Sequence, residues 1–301
     1  MIILTTGKKY IDIDGYASSI AYRELLRMQG KEAKFISTAI ANYSVTKSLL
    51  ELPFSLDEHK ITPSDEFIII DLSNKAFFED FVDENNIIEL IDHHDGFEEY
   101  WKRVLKEKAI IEPIGSVATI ITEKYEQLNL LDKMDKDIAK LLMAAILDNT
   151  LNFTAKITKE RDKVAYSKLE KISEDPEFKA KYFSEVQSII ENDLKNAIVN
   201  DLKIEEIKGL PKALGQLTIY DMRLLKEKLE TIKGIMENHA EKWLINIICL
   251  KDKKSYIMCS DESVAHDIEK LFDKKAKDNI VELETTILRK EIIKIALENE
   301  R

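Results

Sequence analysis

Four segments in the first half of the chain lead into acids, and one of them ends on an aspartate followed by two histidines. The run Ile87-Ile88-Glu89-Leu90-Ile91 stops at Asp92-His93-His94, and Phe67-Ile68-Ile69-Ile70 stops at Asp71. The opening strand-like stretch, residues 1–7, leads through Lys8-Lys9-Tyr10-Ile11 to Asp12-Ile13-Asp14, and the helix-like residues 139–147 end at Asp148-Asn149-Thr150. Short runs rich in β-branched residues predict buried strands. They alternate with helix-like stretches, the first over residues 16–28, and this order is the signature of a parallel α/β sheet. In such a sheet the carboxyl ends of the strands lie along one edge, where ligands bind.

Each aspartate alone has an ordinary explanation, because Asp is a good helix cap and turn residue. Several at one sheet edge are harder to explain that way. Carboxylates brought close together in a buried place repel, and some must take up protons. A divalent cation removes that conflict, and imidazole with carboxylate suits Mn, Fe, Co, Zn or Mg. The two adjacent histidines count the more because the chain has only five. Gly115-Ser116 opens a helix-like stretch over residues 117–125, and a helix N-terminus is a natural anion site, although Ser is also an ordinary N-cap.

Asp12-Ile13-Asp14, Asp71, Asp92-His93-His94, Gly115-Ser116-Val117-Ala118-Thr119 and Asp148, in that order and spacing, resemble the DHH phosphoesterase superfamily. The second half resembles the DHHA2 branch, the manganese-dependent family II inorganic pyrophosphatases and the exopolyphosphatases. The stretches that carry this are Asp201-Leu202-Lys203, Leu214-Gly215-Gln216-Leu217-Thr218-Ile219-Tyr220-Asp221 and Leu288-Arg289-Lys290-Glu291. The other branch carries a Gly-Gly-Gly-His-type motif, and no such cluster occurs among the eight glycines.

The resemblance implies an α/β chain. Residues 1–190 would form a parallel-sheet DHH catalytic domain and residues 195–301 a smaller mixed α/β DHHA2-like domain, with the active site in the cleft between them. It implies that Asp12, Asp14, Asp71, His93 and Asp148 hold one or two ions of Mn2+, or of Mg2+ or Co2+. Asp71, His93 and His94 would be catalytic. His94, Ser116, Lys203, Arg289 and Lys290 would bind the phosphate groups. The implied reaction is hydrolysis of phosphoanhydrides in pyrophosphate or inorganic polyphosphate. Two ions ~4 Å apart can clamp a phosphate and make hydroxide near neutral pH. Arg then offers a fork to phosphate and Lys a point charge.

The chain departs from the pyrophosphatase pattern Gly-His-x-x-Pro-Asp-x-Asp by having Lys8 at the His position and Ile11 at the Pro position. A protonated lysine is not a ligand. Lys8 is therefore a candidate substrate contact, with a salt bridge to Asp12 or an outward side chain as alternatives. The pyrophosphatase pattern sets its acid against Asn149, the exopolyphosphatase pattern against Asp148. Both departures tilt the reading toward polyphosphate. Two alternatives stand beside hydrolysis of phosphoanhydrides: a phosphodiesterase on short oligonucleotides or cyclic dinucleotides, and a non-catalytic phosphate- or nucleotide-binding regulator.

A net charge of −11 argues against an extended nucleic-acid surface but not against a short anionic substrate. No apolar run is long enough for a membrane span, the N-terminus lacks the marks of a signal peptide, and the two cysteines, Cys249 and Cys259, suit reduced core positions. A cytoplasmic protein is expected, with a homodimer as the candidate assembly. Residues 243–250 and 255–259 read as strands and 222–236 as a helix. His59, His239 and His266 read as loop, surface or packing residues. Phe97, Tyr100 and Trp101 suit the core of a short helix or a cleft wall.

Overall fold

The computed structural model describes residues 1–298. The chain forms two compact units, Met1–Tyr182 and Phe183–Arg301.

The first unit is built on five strands, β1 (Ile2–Thr5), β2 (Ala33–Phe35), β3 (Glu66–Ile70), β4 (Ile87–Asp92) and β5 (Ala109–Ile111). They lie in the order β2-β1-β3-β4-β5, and every pairing is parallel. The predicted parallel sheet is present. Its helices are α1 (Ile13–Met28), α2 (Lys47–Leu50), α3 (Glu98–Leu105), α4 (Val117–Gln127), α5 (Lys136–Asn149) and α6 (Glu160–Ser173), followed by the start of α7 (Phe178–Asn192). Ile3, Leu4, Ile69, Leu90 and Ile91 are fully buried, as expected of strands covered on both faces. The strand order reverses between β1 and β3, because β1 pairs with β2 on one side and β3 on the other. Open α/β sheets bind ligands at such a switch point. Asp12 follows β1 and Asp71 follows β3, so the topology alone carries both acids there.

Helix α1 begins earlier than the hydrophobic pattern suggests. Asp12 is its N-cap and accepts the Gly15 amide at 2.9 Å, which draws Ile13, Asp14 and Gly15 into the first turn. Trp101 is buried in α3 and donates its indole N–H to the Ser73 carbonyl at 2.7 Å, so it is core, whereas Phe97 lines a cavity.

The second unit is a mixed sheet in the order β10-β11-β9-β8-β7-β6. Its strands are β6 (Lys203–Ile204), β7 (Ala213–Ile219), β8 (Trp243–Cys249), β9 (Lys254–Cys259), β10 (Ala276–Lys277) and β11 (Ile280–Leu283). Only β7 and β8 pair in parallel. Helices α8 (Leu194–Val199), α9 (Met222–Leu225), α10 (Leu229–Glu237), α11 (Glu262–Phe272) and α12 (Arg289–Glu298) complete it. Leu244 and Ile257 of the sheet join Val264 and Ile268 of α11 and Ile292 of α12 in one apolar cluster. The expected helix over 222–236 is broken: α9 and α10 are separated by a 3-10 turn at Lys226–Lys228, and no glycine or proline there explains the break. Cys249 and Cys259 are free thiols and buried.

Candidate metal centre

Asp71, His93 and His94 meet where β3 and β4 end, with one ligand atom from each lying within 4.8 Å of the others. His93 has the most defined orientation. Its Nδ1 is 3.0 Å from the Ile114 carbonyl oxygen, which can only accept, so Nδ1 carries the proton. In the neutral ring this leaves a lone pair on Nε2. That atom lies 3.4 Å from Asp71 Oδ1 and 3.9 Å from Asp14 Oδ2. Two atoms each ~2.1 Å from one ion are about 3.0–3.4 Å apart at octahedral or tetrahedral angles. His93 and Asp71 are spaced as two ligands of one ion.

Asp71 is presented by its backbone. It has φ 60, in the left-handed region, and its amide still bonds the Ile91 carbonyl at 2.8 Å. The chain therefore turns sharply on leaving β3. Asp71 Oδ1 is buried and has no hydrogen-bond partner among the described residues. An orphaned buried acceptor is costly, and a carboxylate more so. Burial, then the charges of Asp12, Asp14 and Asp92, pushes the Asp71 carboxyl well above its usual range. The orphaned oxygen beside an imidazole lone pair is what a divalent cation would satisfy, so the residues present fit such an ion.

Asp14 is held differently. Its carboxylate accepts Ser116 Oγ at 2.9 Å, the Val117 amide at 2.9 Å, the Ala118 amide at 3.0 Å and Ser18 Oγ at 3.1 Å. The N-terminus of α4 is indeed an anion site, but the anion is Asp14. Ser116, expected to meet phosphate, gives its hydroxyl to Asp14 in the structure. Burial pushes the Asp14 carboxyl up, His93 pulls it down, and the Asp12 charge raises it again.

Beneath this sits Asp162, which the sequence pattern did not single out. It accepts the Gly115 amide at 3.1 Å, Thr119 Oγ1 at 2.6 Å and the Lys159 amide at 2.7 Å. A Cβ on Gly115 would lie 2.5 Å from Asp162 Oδ2 and 2.6 Å from Thr150 Cγ2. Glycine at 115 is therefore a packing requirement. Asp162 was readable only as an acid in the first turn of α6; nothing local ties it to Gly115.

Asp92 and Tyr182 are the other residues that local patterns did not assign. Asp92 Oδ1 accepts the His93 amide at 2.7 Å and His94 Nδ1 at 2.8 Å. This bond pushes the His94 imidazole up, which favours its charged form. The His94 side chain is 62% exposed, so it faces solvent while His93 is buried. Tyr182 donates to Asp148 Oδ1 at 3.1 Å. Asp148, at the end of α5, has its carboxyl pushed up to about 7 by burial, against Tyr182, with the Asp12 and Asp14 charges adding to the rise. Asp148 thus feels the cluster electrostatically but lies outside the Asp71–His93–His94 group. Asn149 turns back to the Ala145 carbonyl at 3.4 Å.

Three of the expected cations have an acidic neighbour in the structure. Lys8 Nζ lies 2.7 Å from Asp80 Oδ1. In the structure Lys8 is paired with Asp80 and not with Asp12. Its neighbour Lys9 lines the cavity next to Asp12, Asp71 and His94. In the second unit Lys203 pairs with Glu205 at 2.6 Å. Arg289 is anchored: Nη2 reaches Asp201 Oδ1 at 2.6 Å, Nη1 the carbonyls of Asp201 and Leu214, and its amide Gln216 Oε1 at 2.7 Å. Lys290 is exposed.

Residues 2–146 match the DHH family, N-terminal domain. The matched span lies within the first unit. Over nearly its whole length the chain is related to manganese-dependent inorganic pyrophosphatases. One from Methanothrix thermoacetophila is 27% identical, with 99% of this chain and 97% of that protein covered. One from Bacillus subtilis is 24% identical, covering 96% and 95%. Among solved structures, a Methanococcus jannaschii protein assigned provisionally to the family II inorganic pyrophosphatases has a TM-score of 0.61 at 22% identity, covering 99% of both chains. An exopolyphosphatase-related protein from Bacteroides fragilis has a TM-score of 0.54 at 16% identity, covering 99% of this chain and 92% of that one. These two likenesses show the fold.

Proposed function

We propose that the protein is a manganese-dependent hydrolase of phosphoanhydride bonds, acting on pyrophosphate or inorganic polyphosphate. The observation that carries this reading is the pairing of His93 Nε2 with the orphaned Asp71 Oδ1 at 3.4 Å. The relatives over the full length, named manganese-dependent pyrophosphatases, support the same chemistry. Asp12, Asp14, Asp71, His93 and Asp148 are the assigned metal holders. When bound, divalent ions neutralise phosphoryl charge and acidify water.

The chain's own residues then divide the remaining work. The Ile114 carbonyl fixes the tautomer of His93, and the α4 N-terminus fixes Asp14, so neither must reorganise during reaction. His94, exposed and bonded through Nδ1 to Asp92, which favours its charged form, is the residue assigned to donate from Nε2 to a phosphoryl oxygen. Lys290 is the exposed cation of the Arg289-Lys290 pair, while Asp201 and Gln216 set the position of Arg289. Buried thiols suit work in a reducing compartment, the cytoplasm, and a homodimer is the assembly to test by sedimentation.

The test is phosphate release by the purified protein with Mn2+, on pyrophosphate, tripolyphosphate and long-chain polyphosphate in parallel. Release from at least one is expected, and ranking them assigns the substrate. No release from any of them, with manganese bound, would refute the reading and leave a phosphate-binding regulator.

A further inference from the structure

A cavity of about 400 Å³ opens directly beside the metal centre, entirely within the first unit. Its lining joins Asp12, Asp71 and His94 to the aromatic side chains of Tyr10, Phe77 and Phe97, with Lys9 among them. Tyr10 is 54% exposed and Phe77 42%. Large aromatic side chains left open in a concave site mark a place that binds something apolar. Pyrophosphate and polyphosphate are polar at every atom and gain little from such a wall. The volume also lies in the range that holds whole organic ligands.

The loop that carries these groups is pinned at both ends. The Lys8 amide bonds the Phe77 carbonyl at 3.0 Å, and the Ile11 amide bonds the Ile40 carbonyl at 3.0 Å. Lys8 turns out to Asp80, and Lys9 and Tyr10 line the cavity. Lys9 Nζ sits 5.9 Å from the Phe77 ring centroid, so cation and aromatic face are presented together.

We propose that this cavity is a nucleobase subsite, and that the chain accepts nucleoside 5′-polyphosphates with the base on Tyr10 and Phe77 and the terminal phosphates at the metal centre. The proposal rests on the hydrolase reading for what happens at the metal end. In the reaction, water oxygen bonds the terminal phosphorus and the bond from that phosphorus to the bridging oxygen breaks. The bridging oxygen leaves on the shortened nucleotide, one water proton stays on the released phosphate, and the other goes to solvent. Aromatic rings stack on any base, so the subsite selects for a base over none, not for one base over another.

The experiment is equilibrium binding with Mn2+ of two non-hydrolysable probes, adenosine 5′-(β,γ-imido)triphosphate and imidodiphosphate, to the wild type and to Tyr10→Ala and Phe77→Ala. Both side chains are exposed, so truncation leaves the core intact. The wild type should prefer the nucleotide by at least tenfold. Each variant should lose roughly 5- to 100-fold for the nucleotide, the equivalent of about 1–3 kcal/mol of stacking, and bind imidodiphosphate as before. Equal affinity of the wild type for the two probes would overturn the subsite, as would variants that weaken both probes alike. A polyphosphate chain lying along Lys9 would give the second result. Phosphate release from pyrophosphate, measured on the same preparations, tests the hydrolase reading separately. Failure there with nucleotide preference intact would leave the subsite standing.

Discussion

Replacing Asp148 by Asn removes one negative charge and preserves shape, including an oxygen to accept the Tyr182 hydroxyl. Burial and the neighbouring acids push the Asp148 carboxyl up to about 7. A raised carboxyl means that the folded state binds more protons than the unfolded one between about pH 4 and 7. The metal-free fold should therefore lose stability as pH rises through that window and level off above it. At 1.36 kcal/mol per pH unit, a rise from the ordinary value of 3.8 to about 7 costs about 4 kcal/mol at pH 8 and about 1.5 kcal/mol at pH 5. Asn carries no such penalty. In chelator, the variant's gain over wild type in urea unfolding should be about 3 kcal/mol larger at pH 8 than at pH 5. Comparing the two pH values cancels any change from packing. Saturating Mn2+ should reverse the order, because ligand binding adds RT ln(1 + [M]/Kd) to the wild type and less to the variant. A gain that is the same at both pH values, or no gain at all, would refute the electrostatic reasoning.

Other outcomes follow from the same geometry. Asp71→Asn should weaken Mn2+ binding by more than the roughly 10- to 100-fold that loss of an outer partner causes, read by equilibrium dialysis, with far-UV circular dichroism unchanged. Gly115→Ala must displace Asp162 or Thr150 and should destabilise the first unit by about 2–4 kcal/mol in urea, from overpacking plus a broken buried hydrogen bond. Asp65 is buried, which by itself raises its carboxyl, yet the Thr62 amide and His59 hold it at about 2. It should contribute about 2 kcal/mol above pH 4, lost as pH falls toward 2, and Asp65→Asn should flatten that acid limb of the unfolding curve. Arg289→Lys should lower the stability of the second unit by about 1–3 kcal/mol, since a single ammonium cannot serve Asp201 and two carbonyls together.

The sheet was legible because its information is local. A strand of β-branched residues ending on an acid needs only its own sequence to be read, and two such neighbours, β3 and β4, set the edge on which Asp71 and His93 meet. Asp12 shows how a bland reading and a functional one can both hold, since it caps α1 and lies beside Asp14 and Asp71. What was not legible depends on contacts far apart in the chain. The helix start at Ser116 announced an anion but not that Asp14, 102 residues earlier, would supply it. Arg289 looked like a free phosphate ligand because Asp201 lies 88 residues away. Lys8 was ambiguous since its partner Asp80 belongs to an exposed loop with no pattern of its own. The broken helix at Lys226–Lys228 had no signal in composition either.

The left-handed turn at Asp71 also limits how this position can drift. At φ 60 the backbone admits Gly, Asn and Asp with little strain and penalises most other residues by about 1–2 kcal/mol. Folding alone therefore favours that small set at position 71, and within it only Asp supplies a charged oxygen. A lineage released from selection for chemistry can exchange Asp for Asn here and keep its architecture. Among relatives of this fold, position 71 should separate working members from well-folded descendants that have lost the ion, before any other part of the chain diverges.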